Sequence, residues 1–244
     1  MKSILLAAVA LTLVAGTASA GDATWGYDGD NGPGRWAALD SAFALCGQGK
    51  SQSPVDLTDF IEAELDPISF DYSGLVKAIG NTGQTVQAEY TSGASIAIGG
   101  KVFEFLRIEF HAPSEHRING DQFPLEAQFV HADLDGNLAI LSVLYKQGKA
   151  NPGLAKLWRQ LPAKAGRKVG MAAEVPADQL LPTNREYYRL SGSLTTPPCT
   201  EGVLWLVLKD QVTASEAQID QLTKVLGGAN SRPVQPLWGR AILQ

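Results

Sequence analysis

The 244-residue sequence predicts a mainly β protein with peripheral helices, folded as a single domain. Three observations predict it. From Asp66 to about Leu144 the residues read almost entirely as strands, with alternating or continuous apolar runs. Those runs are separated by turn signals at Gly99-Gly100 and Asp135-Gly136-Asn137. Only two stretches carry a helical pattern.

The elements follow in order. Residues 1–20, MKSILLAAVALTLVAGTASA, read as a secretory signal: Lys2, an apolar run from Ile4 to Ala15, and Ala18-Ser19-Ala20 as the cleavage site. About a dozen apolar residues are too few to span a bilayer of ~30 Å as a helix, and no second run qualifies. A secreted or periplasmic protein is expected, with no membrane span and its domain at residues 21–244. Next comes TWGYDGDNGPGRW, an aperiodic loop pinned by Trp25, Tyr27 and Trp36. SQSPVDL places Pro54 at the entry to a short extended segment.

TVQAEY alternates, and GASIAIGGKVFEFLRIEFH reads as two strands joined at the glycine pair. Leu138 to Tyr145 is almost continuously apolar, as for a strand covered on both faces. NPGLAKLWRQLP is a short helix candidate. ASEAQIDQLTKVLGG is a better one, with Ser215 and Gln218 spaced as a capping box, an Ile219/Leu222/Leu226 stripe and Gly227 at its end. SGSLTTPPCTEGVLWLVLKD is a turn followed by an apolar strand.

The formal charge is −5, with acidic residues scattered and no basic stripe. That excludes nucleic acid as a partner. Two cysteines, Cys46 and Cys199, suggest one disulfide in an exported chain. It would close a loop of about 150 residues, worth roughly 4–5 kcal/mol on the loop-entropy model.

FEFLRIEFHAPSEHRING carries the chemistry. Strand alternation sends Leu106, Ile108 and Phe110 to one side, and Phe105, Arg107, Glu109 and His111 to the other. Glu126, Gln128 and Val130 share a face of a later strand. If the two faces meet, they form a polar cluster.

FHAPSEHRINGDQFPLEAQFVHAD and GSLTTPPCTEG closely resemble the α-class carbonic anhydrases, as do WGYDGDNGPGRW, CGQGKSQSPVDL and NSRPVQPLWGR. The resemblance implies an α-carbonic-anhydrase-like fold: a large, twisted, mostly antiparallel sheet of about ten strands bearing a conical active site. It also implies three zinc-binding His, with the metal lowering the pKa of a water to ~7.

Position by position, the ligand sites fall on Glu109, His111 and Gln128, so only His111 is retained. Arg107 stands where an orienting Gln is usual, and Gln84 where the proton-shuttle His is usual. His116 and His131 match positions that are not ligands. Glu115 and Thr195 match the carboxylate–hydroxyl pair that aligns the nucleophile, and Thr196 follows. Val130, Ile140, Leu194, Val203 and Trp205 match the apolar CO2 pocket. Glu126 and Asn230 match partners of the ligands, and Cys46 and Cys199 the disulfide of exported members.

Arg107 lies within reach of Glu109 and is expected to meet it with two parallel hydrogen bonds, opposing a dication electrostatically. The expectation is therefore an exported carbonic anhydrase-like protein without zinc-dependent CO2 hydration. No metal or other cofactor is expected, and the old cone binds a small molecule or protein. The alternative is a carbonic anhydrase with a substituted, weak zinc site. A second alternative is a metal-free enzyme using Glu109, His111 and Arg107.

Overall fold

The computed structural model describes residues 24–171 and 175–244; the predicted signal segment lies outside them. Fourteen strands are described. They are β1 (Asp56–Leu57), β2 (Ser69–Asp71), β3 (Val76–Asn81), β4 (Val86–Tyr90), β5 (Ser95–Ile98), β6 (Lys101–His111) and β7 (Arg117–Ile118). The rest are β8 (Asp121–Gln122), β9 (Leu125–Ala132), β10 (Leu138–Gln147), β11 (Arg167–Gly170), β12 (Tyr187–Ser193), β13 (Glu201–Leu208) and β14 (Val212–Ala214). Helices α1 (Trp36–Leu39), α2 (Leu45–Gln48), α3 (Pro152–Trp158) and α4 (Glu216–Leu226) lie between and after them.

Eleven strands form one sheet, with the path β11-β3-β4-β6-β9-β10-β13-β12. β5 joins β2 to β6, and β14 pairs with β10. The pairings along the path are antiparallel except β10 with β13. β1, β7 and β8 make a small second sheet. The predicted hairpin turn holds: Gly99 and Gly100 both have positive φ, which glycine adopts without steric cost.

Side-chain alternation gives this sheet two cores. Ile108, Phe110, Ala127, Phe129, Leu141 and Val143 belong to the larger one. Val130, Ile140, Leu144, Val203, Trp205 and Val207 belong to the other. β10 feeds both and is buried from Ala139 to Tyr145, as its almost continuous apolar run predicts. The Trp25/Tyr27/Trp36 cluster pins the N-terminal loop with edge-on ring contacts of 5.3–5.9 Å. Within that loop Gly29–Asn31 make one 3-10 turn, and the short helices α1 and α2 follow it.

The alternation predicted for β6 needs one correction. Phe105 pairs with His131 and Arg107 with Val130, so Leu106 is an extra residue in a β-bulge. The bulge switches parity. Phe105 packs into the larger core beside Ile108 and Phe110, while Leu106 is 36% exposed. Arg107, Glu109 and His111 keep their common face.

Candidate functional site

The faces of β6 and β9 do meet. Glu109 stands opposite Gln128, and His111 opposite Glu126. The register extends this into rows across the sheet. Gln87, Glu109, Gln128 and Ser142 form one. Arg107, Val130, Ile140 and Trp205 form the next. A polar row therefore lies beside an apolar one on the same face.

Glu109 Oε1 accepts from Arg107 Nε and from Gln87 Nε2, each at 2.8 Å. The pairing with Arg107 is thus a single bond, not the two parallel bonds expected. The reason is that Nε, rather than the outer fork, faces the carboxylate. Nor is the pair deeply buried, with side-chain exposures of 32% and 14%. Glu109 Oε2 and the two terminal nitrogens of Arg107 have no hydrogen-bond partner among the described residues. Gln87 was not singled out from the sequence. Its place in the alternating TVQAEY strand was the available signal, but only the β4–β6 register sets it opposite Glu109.

His111 is fully buried. Its Nδ1 lies 2.8 Å from the Asn230 carbonyl oxygen and must donate to it, while its buried Nε2 has no partner. Asn230 also fixes the strand end through Ala112 N and the Phe110 carbonyl. Burial disfavours the charged imidazole, but Glu115, the Asn230 carbonyl, Glu126 and Glu109 together lift its pKa above the ordinary value.

Gln128 Nε2 donates to Glu115 Oε2 at 2.8 Å and to Glu126 Oε1 at 3.1 Å. Carboxylate oxygens only accept, so the amide must turn its NH2 toward them and its oxygen away. Gln128 Oε1 has no partner among the described residues. Glu126 takes four further bonds, from Glu115 N, His116 N, His116 Nδ1 and Ser142 Oγ. Burial works to raise its pKa, yet the charge and hydrogen bonds of His116 together with His111 outweigh burial and hold it down at about 2.

Glu115 accepts from Arg232 N at 2.9 Å and interacts with the Thr195 side chain. Burial raises its pKa above the carboxylate range, against the pull of His111. Thr195 is buried and Thr196 half-buried. Val130, Ile140, Val203 and Trp205 are buried together, with Leu194 packed on them at the partly exposed edge. The Trp205 indole donates to the Ser193 carbonyl.

Two rim residues complete the region. Tyr27 has a buried hydroxyl without a partner, and Glu115 and Glu109 both act on it electrostatically. Gln84 holds Trp25 and Asn230 through its amide and its backbone carbonyl. Trp25, Tyr27, Gln84 and Asn230 line a cavity of about 300 Å³. His131 lies apart, bonded to Tyr72 Oη at 3.0 Å. Cys46 and Cys199 form the expected disulfide, 153 residues apart in sequence.

Among the described residues, no three His, Cys, Asp or Glu side chains form a metal-holding group. The three residues at the centre nevertheless share a pattern. Each is anchored through one polar atom and leaves the other free: Glu109 Oε2, His111 Nε2 and Gln128 Oε1. A carboxylate oxygen and an imidazole nitrogen are ordinary zinc donors, and an amide oxygen is a weak one. Glu109 and His111 are the two ordinary donors among them, fewer than the three or four protein ligands that usually hold a zinc ion.

A twisted β-sheet carrying this row, with a buried carboxylate beside a threonine and an apolar cluster on the same face, defines the class. The sequence profile described as eukaryotic-type carbonic anhydrase matches residues 31–244, and the chain belongs to that family. A carbonic anhydrase of Pectobacterium atrosepticum is 44% identical over 228 residues, 93% of each chain. One from Pectobacterium carotovorum is 41% identical over the whole of both chains. The structure of the Thermovibrio ammonificans α-carbonic anhydrase in complex with the inhibitor sulfanilamide is 44% identical, with a TM-score of 0.90. The match covers 92% of this chain and all of that one.

These findings overturn the expectation of a protein without CO2-hydrating activity, and the metal-free enzyme with it. Relatives this close over the full length carry the name carbonic anhydrase. The expectation of no cofactor loses its support in the same way.

Proposed function

We propose that the protein is an exported carbonic anhydrase, interconverting CO2 and bicarbonate, whose metal site is substituted. The observation that carries this reading is the full-length kinship to proteins named carbonic anhydrase. The retained Glu115–Thr195 pair and the apolar row support it. The disulfide supports an oxidising compartment.

In this reading Glu109 and His111, with Gln128 as a weak third donor, stand where the resemblance places three imidazoles. They are the residues that would hold a zinc ion, whose Lewis acidity would make a bound water a nucleophile near neutral pH. Val130, Ile140, Val203 and Trp205 give the uncharged substrate an apolar seat. Glu115 accepts the Thr195 hydroxyl proton as a hydrogen bond. The Thr195 oxygen is thereby left to accept from the attacking group and to align it. Gln84 does not titrate near neutral pH, so it relays no proton. Buffer must then carry protons away.

Stopped-flow CO2 hydration by the zinc-supplied protein tests the reading. Catalysis above the buffer rate is expected, inhibited by a sulfonamide. Thr195→Ala should lower kcat/KM about 100-fold, the scale of losing one orienting group. A metal-replete protein no faster than buffer alone would overturn it.

A further inference from the structure

Arg232 is a charged side chain sealed into the protein without an acid to meet it. The residue is 3% exposed. Its Nη1 donates to Gln52 Oε1 and to the Ser53 carbonyl, and its Nη2 donates to the Cys46 carbonyl, at 2.7–2.9 Å. The Nε–H and the second Nη2–H find no acceptor among the described residues. Glu115 accepts only from the backbone N–H of Arg232. Burial pulls the Arg232 pKa down to about 10, with Glu115 opposing, so the side chain is still charged at neutral pH. A buried charge held by neutral partners alone is costly, and the common remedy is a counter-ion.

There is room for one. Arg232, Cys46, Gly34, Ala37, Gly47 and Gln235 line a cavity of about 320 Å³, and no acidic residue among the described ones lines it. Nε and Nη2 share one edge of the guanidinium, which can grip two oxygens of a planar anion side by side. Gly34 keeps the cavity open: a Cβ there would meet nothing within 4 Å.

We infer that this cavity binds a small planar oxyanion, bicarbonate or a short carboxylate, on the free edge of Arg232. The anion neutralises the buried cation and joins the Gly34 loop to a side chain that already clamps Cys46, Gln52 and Ser53. Occupancy therefore stabilises the fold around the disulfide. The site needs no metal, and it lies outside the row of Glu109 and Gln128.

Sodium formate and sodium bicarbonate are titrated into the purified protein at neutral pH, against sodium chloride at equal ionic strength. The melting temperature and the Nε–H resonance of Arg232, assigned by its loss in Arg232→Lys, are followed. At least one oxyanion should raise the melting temperature saturably and shift that resonance; the one that acts identifies the ligand. Gly34→Leu puts a side chain into the cavity and should melt like the wild type in chloride while losing both responses. An unmoved Arg232 resonance overturns the inference, as does chloride acting as strongly as the oxyanions. A response undiminished in Gly34→Leu also overturns it, because the anion then sits elsewhere.

Discussion

Gln128 ties two buried carboxylates together with a single amide, and that makes it more important to stability than the ion pair beside it. Gln128→Leu leaves buried Glu115 Oε2 without a donor, while Glu126 Oε1 keeps His116 Nδ1 and Ser142 Oγ. A cost of about 2–3 kcal/mol is expected. Arg107→Ala removes one bond from a carboxylate that Gln87 still holds, in a pair open to solvent. Such a pair is worth about 1 kcal/mol or less. Urea melts of the two variants check this order; an inverted order would mean that the Arg107 charge, not the Gln128 hydrogen bonds, dominates the stability of the site. The residue types at 107, 109, 111 and 128 were plain in the sequence. The single Nε contact was not, because the rotamer depends on Gln87 from a neighbouring strand.

Among the elements, α4 shows how much a local pattern determines. Its capping box forms between Ser215 and Gln218, and Gly227 ends it at φ 78° in the left-handed region, as the sequence predicts. Gln218 does more than cap. Its amide also takes both the N–H and the C=O of Asn151, and its backbone carbonyl accepts from the Trp158 indole. It therefore clips α3 to α4. Ser215→Ala should cost about 1 kcal/mol, the usual worth of a cap. Gln218→Ala should cost more, about 2–3 kcal/mol, because it strands buried backbone groups of Asn151. Denaturant midpoints of the two variants check the difference. The cap was readable because its partners lie within one helical turn. The clip was not, because Asn151 is 67 residues away. The bulge at Leu106 escaped for a related reason: only pairing with β9 reveals one residue too many on β6.

At the scale of the whole molecule, a sheet with a core on each face buries histidines whose titration ties stability to pH. Burial holds the His131 pKa down at about 3 in the folded protein, whereas an unfolded chain takes up the proton near 6.5. Between these values the unfolded state binds more protons. The His131 contribution is complete above pH 6.5 and is lost progressively as pH falls toward 3. Glu126 adds a loss at lower pH, as the medium passes from the ordinary carboxylate range toward about 2. His131→Gln should therefore show a smaller drop in Tm between pH 7 and pH 5 than the wild type. An equal drop would place the acid sensitivity elsewhere, in the coupled His111–Glu115 pair.

β11 and β12 were not legible in the sequence, whereas most of the strands between Asp66 and Leu144, the Gly99-Gly100 turn, the disulfide and the residue types of the site were. Those are properties of short segments, where period-two alternation and motif spacing act over a few residues. Only the tertiary structure decided which polar atoms are used up and which remain free: Oε2 of Glu109, Nε2 of His111 and Oε1 of Gln128. The physical reason is that each anchor comes from elsewhere in the chain. Gln87 reaches Glu109 through strand register, Asn230 reaches His111 from 119 residues away, and Glu115 reaches Gln128 from a neighbouring loop.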